Sequence, residues 1–214
     1  MTQNLSKFFK SLPVILLASS VLLSGCMSRA EKTILPDYET VDFQSLRLDA
    51  RKMEIIENWN MPMEPPYIEH TLAPNLSSML VDWGSRVLVP VGGSGEVVLD
   101  ISQASIKQTA LPKSEKLVDL FRDNQEVMVR ADIKAKLLWI QPVGGKQAII
   151  DLGATASRTI KETATPNERD VIIREVMVEA VELLNQQAAE EIRASNGLIR
   201  FSAARIPGLT SPER

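Results

Sequence analysis

The chain has 214 residues, with 24 lysines and arginines against 27 acids, one histidine and one cysteine. A formal charge of -3 gives no basic excess for nucleic acid. A lone cysteine and a lone histidine exclude an internal disulfide framework and leave almost no material for a zinc or transition-metal site, and no cofactor is expected.

Lys7 and Lys10 precede an uncharged, strongly apolar run from Leu12 to Cys26, and no acid occurs before Glu31. A basic segment, a short apolar segment and small residues make a secretory signal. A spanning helix needs ~20 predominantly apolar residues, and this run breaks down at Ser24-Gly25-Cys26. Leu23-Ser24-Gly25-Cys26 resembles the lipobox of bacterial lipoproteins. The resemblance implies cleavage before Cys26, a diacylglycerol thioether on its sulfur and an acylated N-terminus. The plainer alternative is an ordinary signal peptide with a chance cysteine. Residues 1–25 are then the signal, 26–45 a lipid-anchored linker, 46–195 the domain and 196–214 a loose tail. Removing the signal and its two lysines leaves 189 residues with 22 basic and 27 acidic groups, enough for one domain. No polybasic patch is available for anionic lipid, so membrane contact is expected through acyl chains on Cys26.

From Leu46 to Glu57, Leu46 and Leu48 fall in one alternating phase and Met53 and Ile55 in the other, which predicts an irregular strand. Pro62, Pro65 and Pro66 then exclude a helix. Pro74 and Asn75 open one, with Leu76, Met79, Leu80, Trp83 and Val87 as its apolar stripe. Pro90 and Gly92-Gly93-Ser94-Gly95 are expected to form a flexible turn after it. A strand follows from Glu96 to about Lys107, with a phase slip near Ser102 or Gln103 that suggests a bulge. Residues 112–124 read as a loop or a single helical turn. Gln125 to Ile140 carries the cleanest alternation in the chain, so it is read as a strand with one wet and one buried face. Gln141 to Lys146 reads as a hairpin loop, and the return strand places Ala148, Ile150, Leu152, Ala154 and Ala156 on one side. Gly153 and these alanines suggest a shallow face under a close-packed helix. That helix starts at Thr165-Pro166-Asn167-Glu168 with a capping box and runs to about Ser195, ~43 Å long. Its stripe is Ile173, Met177, Val181, Leu184, Ala188 and Ile192, with Glu175, Glu179, Glu182 and Glu190 on the solvated side.

No catalytic constellation survives inspection. Gly92-Gly93-Ser94-Gly95-Glu96 misses the nucleophile-elbow pattern at Glu96 and misses both phosphate-loop spacings. His70 beside Glu69 is better read as a hydrogen-bonded structural residue than as a ligand. Asp100 and Asp132 lie in strand phases that should be wet, so an acid pair is not expected and the protein is read as no enzyme. Trp59, Met61 and Met63 sit on a proline-rich irregular stretch. They are the candidate partner contact, with burial of Trp59 under its loop as the alternative.

Pro65-Pro66-Tyr67-Ile68-Glu69-His70, the helix after Pro74, the Gly-Ser turn and Thr165-Pro166-Asn167-Glu168 together resemble a group of proteobacterial lipoproteins of unassigned function. A similar architecture occurs in auxiliary lipoproteins of ABC-type envelope transport systems. The order of elements predicts an α+β fold: a mainly antiparallel sheet of about four strands with two helices packed on one face. Val97, Leu99, Val127, Val129, Ile133, Leu137, Ile150 and Leu152 should line that face. The expected function is a non-catalytic interaction module, anchored in the outer membrane, facing the periplasm and accessory to an envelope protein complex. A small lipid-binding carrier with an apolar pocket between sheet and helices is the alternative.

Overall fold

The computed structural model describes residues 43–111 and 126–195. The expected signal, Cys26 of the expected lipobox, most of the expected linker, and the segments 112–125 and 196–214 read as loop and tail lie outside the described residues. What is described is an α+β domain: strand β1 (Leu46–Glu57), helix α1 (Leu76–Val87), strands β2 (Leu88–Ala110), β3 (Glu126–Gln141) and β4 (Lys146–Lys161), then helix α2 (Pro166–Ala194). The sheet order is β1-β2-β3-β4. β2, β3 and β4 pair antiparallel, whereas β1 pairs parallel to β2, with α1 as the crossover that parallel strands require.

Both helix starts follow local chemistry. Asn75 accepts the Ser78 N–H at 2.9 Å, which satisfies one of the unpaired donors of the first turn of α1. Thr165 and Glu168 close a reciprocal capping box, with Pro166 at the first helical position of α2. The hydrogen bonds from Thr165 hold the Glu168 carboxyl below the ordinary glutamate range.

Both stripes read from the sequence are buried, α1 on β1 and β2, α2 on β3 and β4. Trp83 is fully enclosed, and its indole N–H donates to Asn185 Oδ1 at 3.2 Å, tying α1 to α2. The inner sheet face is lined as expected, except that Val127, near the end of the sheet, is only half-buried. Gly153 lies on the opposite, exposed face rather than under α2. Its amide donates to Gln187 Oε1 at 2.7 Å, so it ties the free edge of β4 to the helix. The acids of α2 are not all idle either, since Arg158 of β4 bonds both Glu175 and Glu179.

Two bulges shape β2. The slip anticipated near Ser102 is present: Ile101 pairs with Ala135 and Gln103 with Lys134. It brings Ala104 and Ile106 onto the same buried face as Val97, Leu99 and Ile101. The second bulge corrects the expected glycine turn. Gly92 to Gly95 lies inside β2, where Leu48 pairs with Pro90 but Ala50 with Gly95, so the extra residues loop out beside Asp49. Gly93 has φ +108°, and a Cβ on it would fall 1.9 Å from Asp49 Oδ1. At Gly95 a Cβ would stand 2.2 Å from Nε1 of Trp139, whose indole N–H donates to the Asp49 carbonyl at 3.0 Å. These glycines serve close packing, not flexibility.

Gly95→Ala should therefore push Trp139 off its acceptor and destabilise the domain by ~1–3 kcal/mol, the usual cost of overpacking. Urea denaturation followed by tryptophan fluorescence reads this directly. An unchanged midpoint together with unchanged emission would show that Trp139 does not lie on Gly95.

Candidate interaction surface

The structure separates the three residues singled out on the proline-rich stretch. Trp59 is half-buried and packs against the core, with its indole nitrogen enclosed and lacking an acceptor among the described residues. Its ring lies 6.5 Å from that of Tyr67, and the Lys107 ammonium stands 5.1 Å over the Tyr67 ring. Met61 is half-buried, and only Met63, 73% exposed, is fully presented to solvent. Trp59 therefore anchors this loop, and of the three candidates only Met63 is fully exposed.

The loop is held by β2. Beyond Ile101, where β1 has ended, Pro66–Ile68 takes over as the neighbour of β2. Ile68 N–H donates to Ile106 O at 3.0 Å, and Gln108 N–H to Pro66 O at 2.8 Å. The remaining edge donor, Ile106 N–H, is taken by the carboxylate of Glu69 at 3.2 Å. Glu69 is fully buried, and its other oxygen has no partner among the described residues. His70 itself is exposed, so the structural role expected of the histidine falls to the glutamate beside it. Sequence reasoning passed over Glu69 because a carboxylate carries no burial signal.

The sheet face turned away from the helices is the larger open surface. Its cross-strand rows follow from the register. Lys52, Glu96, Ile140 and Gln147 form one row; Glu54, Val98, Leu138 and Ile149 the next; Ile56, Asp100, Lys136 and Asp151 the third. Val98 and Leu138 are half-buried, while Ile56, Ile140 and Ile149 are 37%, 42% and 58% exposed. An apolar cluster thus occupies the end of the face next to the β3–β4 turn, where alternation should have made it polar. Around it the charges are mixed. Arg51 pairs with Glu96, holding that carboxyl below its ordinary range, Asn58 donates to Asp100 at 2.7 Å, and Lys136 approaches Asp151 at 3.7 Å. Leu138 was visible in the sequence as an apolar residue in the wet phase of its strand. Ile140 and Ile149 carried the same signal.

Nothing in the register assembles a catalytic acid pair from Asp100 and Asp132. Asp100 sits beside Lys136, four residues along β3 from Asp132, a separation of ~13 Å. Asp132 is engaged by Arg130 at 2.8 Å and by the Thr155 hydroxyl at 2.9 Å. Among the described residues no group of three or more potential metal ligands is clustered. One hollow of about 230 Å³ lies between Thr71–Pro74 and the Asp170–Met177 part of α2. Another of about 410 Å³ is an open groove between Ile149–Asp151 and the last turn of α2. Neither is lined by the central inner-face residues Leu99, Ile133 or Leu137.

Fold and surface together define an α+β domain with one sheet face buried under helices and the other partly apolar and open. No family model matches the chain, and no curated protein does. Among solved structures it is similar to a minor lipoprotein from Acinetobacter baumannii, at 14% identity over 66% of this chain and 94% of that one, with a TM-score of 0.41. It is also similar to the rare lipoprotein B from Shewanella oneidensis, at 11% identity over 67% of this chain and 98% of that one, with a TM-score of 0.35. These neighbours are bacterial lipoproteins; with TM-scores below 0.5, neither assigns this chain a family or an activity.

Because Glu69 takes the Ile106 amide, Glu69→Ala should leave a buried donor without an acceptor and cost ~1–3 kcal/mol. Glu69→Gln keeps an acceptor oxygen and should cost clearly less. Denaturation midpoints of the two variants decide this. Equal losses would mean that Glu69 contributes only its volume.

Proposed function

We propose that this protein is a lipid-anchored envelope lipoprotein whose domain is a non-catalytic interaction module, accessory to an envelope assembly or transport complex. The observation that carries the reading is the apolar cluster of Val98, Leu138, Ile140 and Ile149 on the open sheet face. Exposed apolar clusters rimmed by polar residues mark contact sites. The anchor rests on the sequence: a signal ending in Leu23-Ser24-Gly25-Cys26 and no other cysteine. Met27 and Ser28 lack the aspartate that retains enteric lipoproteins at the inner membrane, so the proposed site is the outer membrane with the domain in the periplasm. The residues favour a module over a lipid carrier. Leu99, Leu137, Val181 and Leu184, which would have to line a pocket between sheet and helices, are fully buried.

Cys26→Ser should abolish lipidation and leave an unprocessed precursor; mature protein of unchanged mass would refute the anchor. For the surface, a photo-crosslinking residue at position 149 should capture a protein in intact envelopes. The double change Leu138→Lys with Ile140→Lys, monitored by circular dichroism for an intact fold, should abolish function in a complementation assay. A folded double variant that complements fully, with no adduct from position 149, would remove this face from the mechanism.

A further inference from the structure

We propose that the groove beside the free edge of β4 is the docking site of this chain's own segment 198–201, which adds there as a short fifth strand parallel to β4. The inference goes beyond the proposed function: it concerns the edge of the sheet and leaves the open face as it is.

β4 ends the sheet order and has β3 on one side only. A strand edge presents unpaired amides and carbonyls, and proteins cover such edges or interrupt them. On β4 the covering is partial. The Gly153 amide points out of the edge and is taken by Gln187 Oε1 at 2.7 Å. The amides of Asp151 and Ile149, two and four residues earlier, point the same way, because orientation alternates along a strand. Beside them lies an open groove of about 410 Å³, lined by Ile149, Ile150, Asp151, Glu191, Ala194 and Ser195.

The chain leaves α2 at Ser195, inside this groove. Only Asn196 and Gly197 then separate the helix from residue 198, and helix-to-strand connections of about 2–6 residues are the common case. Direction follows from the topology. β1, β2 and β4 all run the same way. α2 runs back along β4, with Glu175 beside Arg158, Gln187 beside Gly153 and Ala194 beside Ile149 and Asp151. A strand that follows α2 along the edge therefore runs with β4. It would repeat the β1–α1–β2 crossover with the same hand, and crossovers between parallel strands have one strongly preferred hand.

Residue types supply the register. Residues 198–201 read Leu-Ile-Arg-Phe. In the proposed pairing Leu198 falls beside Ile149 and Arg200 beside Asp151 on the open side of the sheet. Ile199 falls beside the buried Ile150, and Phe201 beside the buried Leu152. Each apolar residue then has an apolar neighbour. Arg200 brings a cation to a groove whose charged members, Asp151 and Glu191, are both acids. Lys136 approaches Asp151 at 3.7 Å from the β3 side and leaves the groove side to Arg200. A slip of one residue would turn Ile199 and Phe201 to water and Arg200 toward the helix. The strand stays short, because a longer one would compete with Gln187 for the Gly153 amide.

Hydrogen exchange of the full chain, resolved to single amides, tests this. Ile149 and Asp151 should exchange about tenfold or more below their intrinsic rates. Ile199→Asp with Phe201→Asp should remove that protection, while Gly153, held by Gln187, keeps its own and reports an intact domain. Arg200→Asp should lower the protection roughly two- to fivefold, the range of an exposed ion pair, and Arg200→Lys should preserve it. Exchange at the intrinsic rate in wild type overturns the proposal. So does protection that survives the double change in an intact domain; if it then falls on dilution, a second copy occupies the edge instead. Should the double change also expose Gly153, the Arg200 variants decide, and equal protection in the two overturns the proposal.

Discussion

The constraint on which this fold depends is that β2 must keep one face toward the helices along 23 residues while bonding β1 on one side and β3 on the other. A regular strand with this sequence would turn Ala104 and Ile106 away from the core once Val97, Leu99 and Ile101 had turned toward it. The single extra residue at Ser102 restores the phase. Upstream, the excursion at Gly92–Gly95 lets a strand that begins beside Leu46 arrive beside Lys52 in step with Ile140 of β3. Both irregularities keep side chains on the buried face, and in each the local geometry follows from residue type.

How far this was legible depended on whether the signal was local. The cap at Asn75, the capping box at Thr165, the hairpin after Gln141 and the α2 stripe are written in adjacent residues, and all are present. The Ser102 bulge was readable as a slip in alternation. The Gly92–Gly95 stretch was misread because glycine marks a flexible turn and a close backbone approach equally well in sequence. Only the positions of Asp49 and Trp139, both distant in sequence, distinguish them. The parallel pairing of β1 with β2 was hidden for the same reason, since alternation does not record strand direction. At the candidate surface, Trp59 was read both as a contact residue and as a side chain buried under its loop, because an irregular, proline-rich setting fits either. Its burial depends on Tyr67 and on the docking of Pro66–Glu69 against β2, which no local pattern announces.

The two sheet faces show what selects an apolar residue for exposure. On the helix side, every central position is closed, and a large-to-small change there would leave a cavity costing ~2–5 kcal/mol. Stability thus has a sufficient source on that face alone. Ile140 and Ile149 add little to it: at 42% and 58% exposure each leaves much of its side chain in water. Other outward positions of the same strands carry Lys134, Lys136, Thr155 and Thr159, which shows that polar residues are accommodated in this pleat. Val98, Leu138, Ile140 and Ile149 also lie in neighbouring rows, the clustering on which the proposed contact site rests.

A cluster of this size makes a weak interface by itself, and weakness would suit the anchored molecule of the proposed reading. Two partners free in solution must overcome the full loss of translational freedom when they meet. Two partners held on one membrane have already given up much of it, so a modest apolar row with a few matched charges is enough to set which faces meet. A much larger apolar face would serve a protein exported and anchored in the proposed way worse, because exposed apolar surface on an unpaired chain invites aggregation. The mixed charges flanking Val98, Leu138 and Ile149 limit that hazard while specifying orientation. On the proposed reading, anchor and face are complementary parts of one device, with the first supplying concentration and the second supplying register.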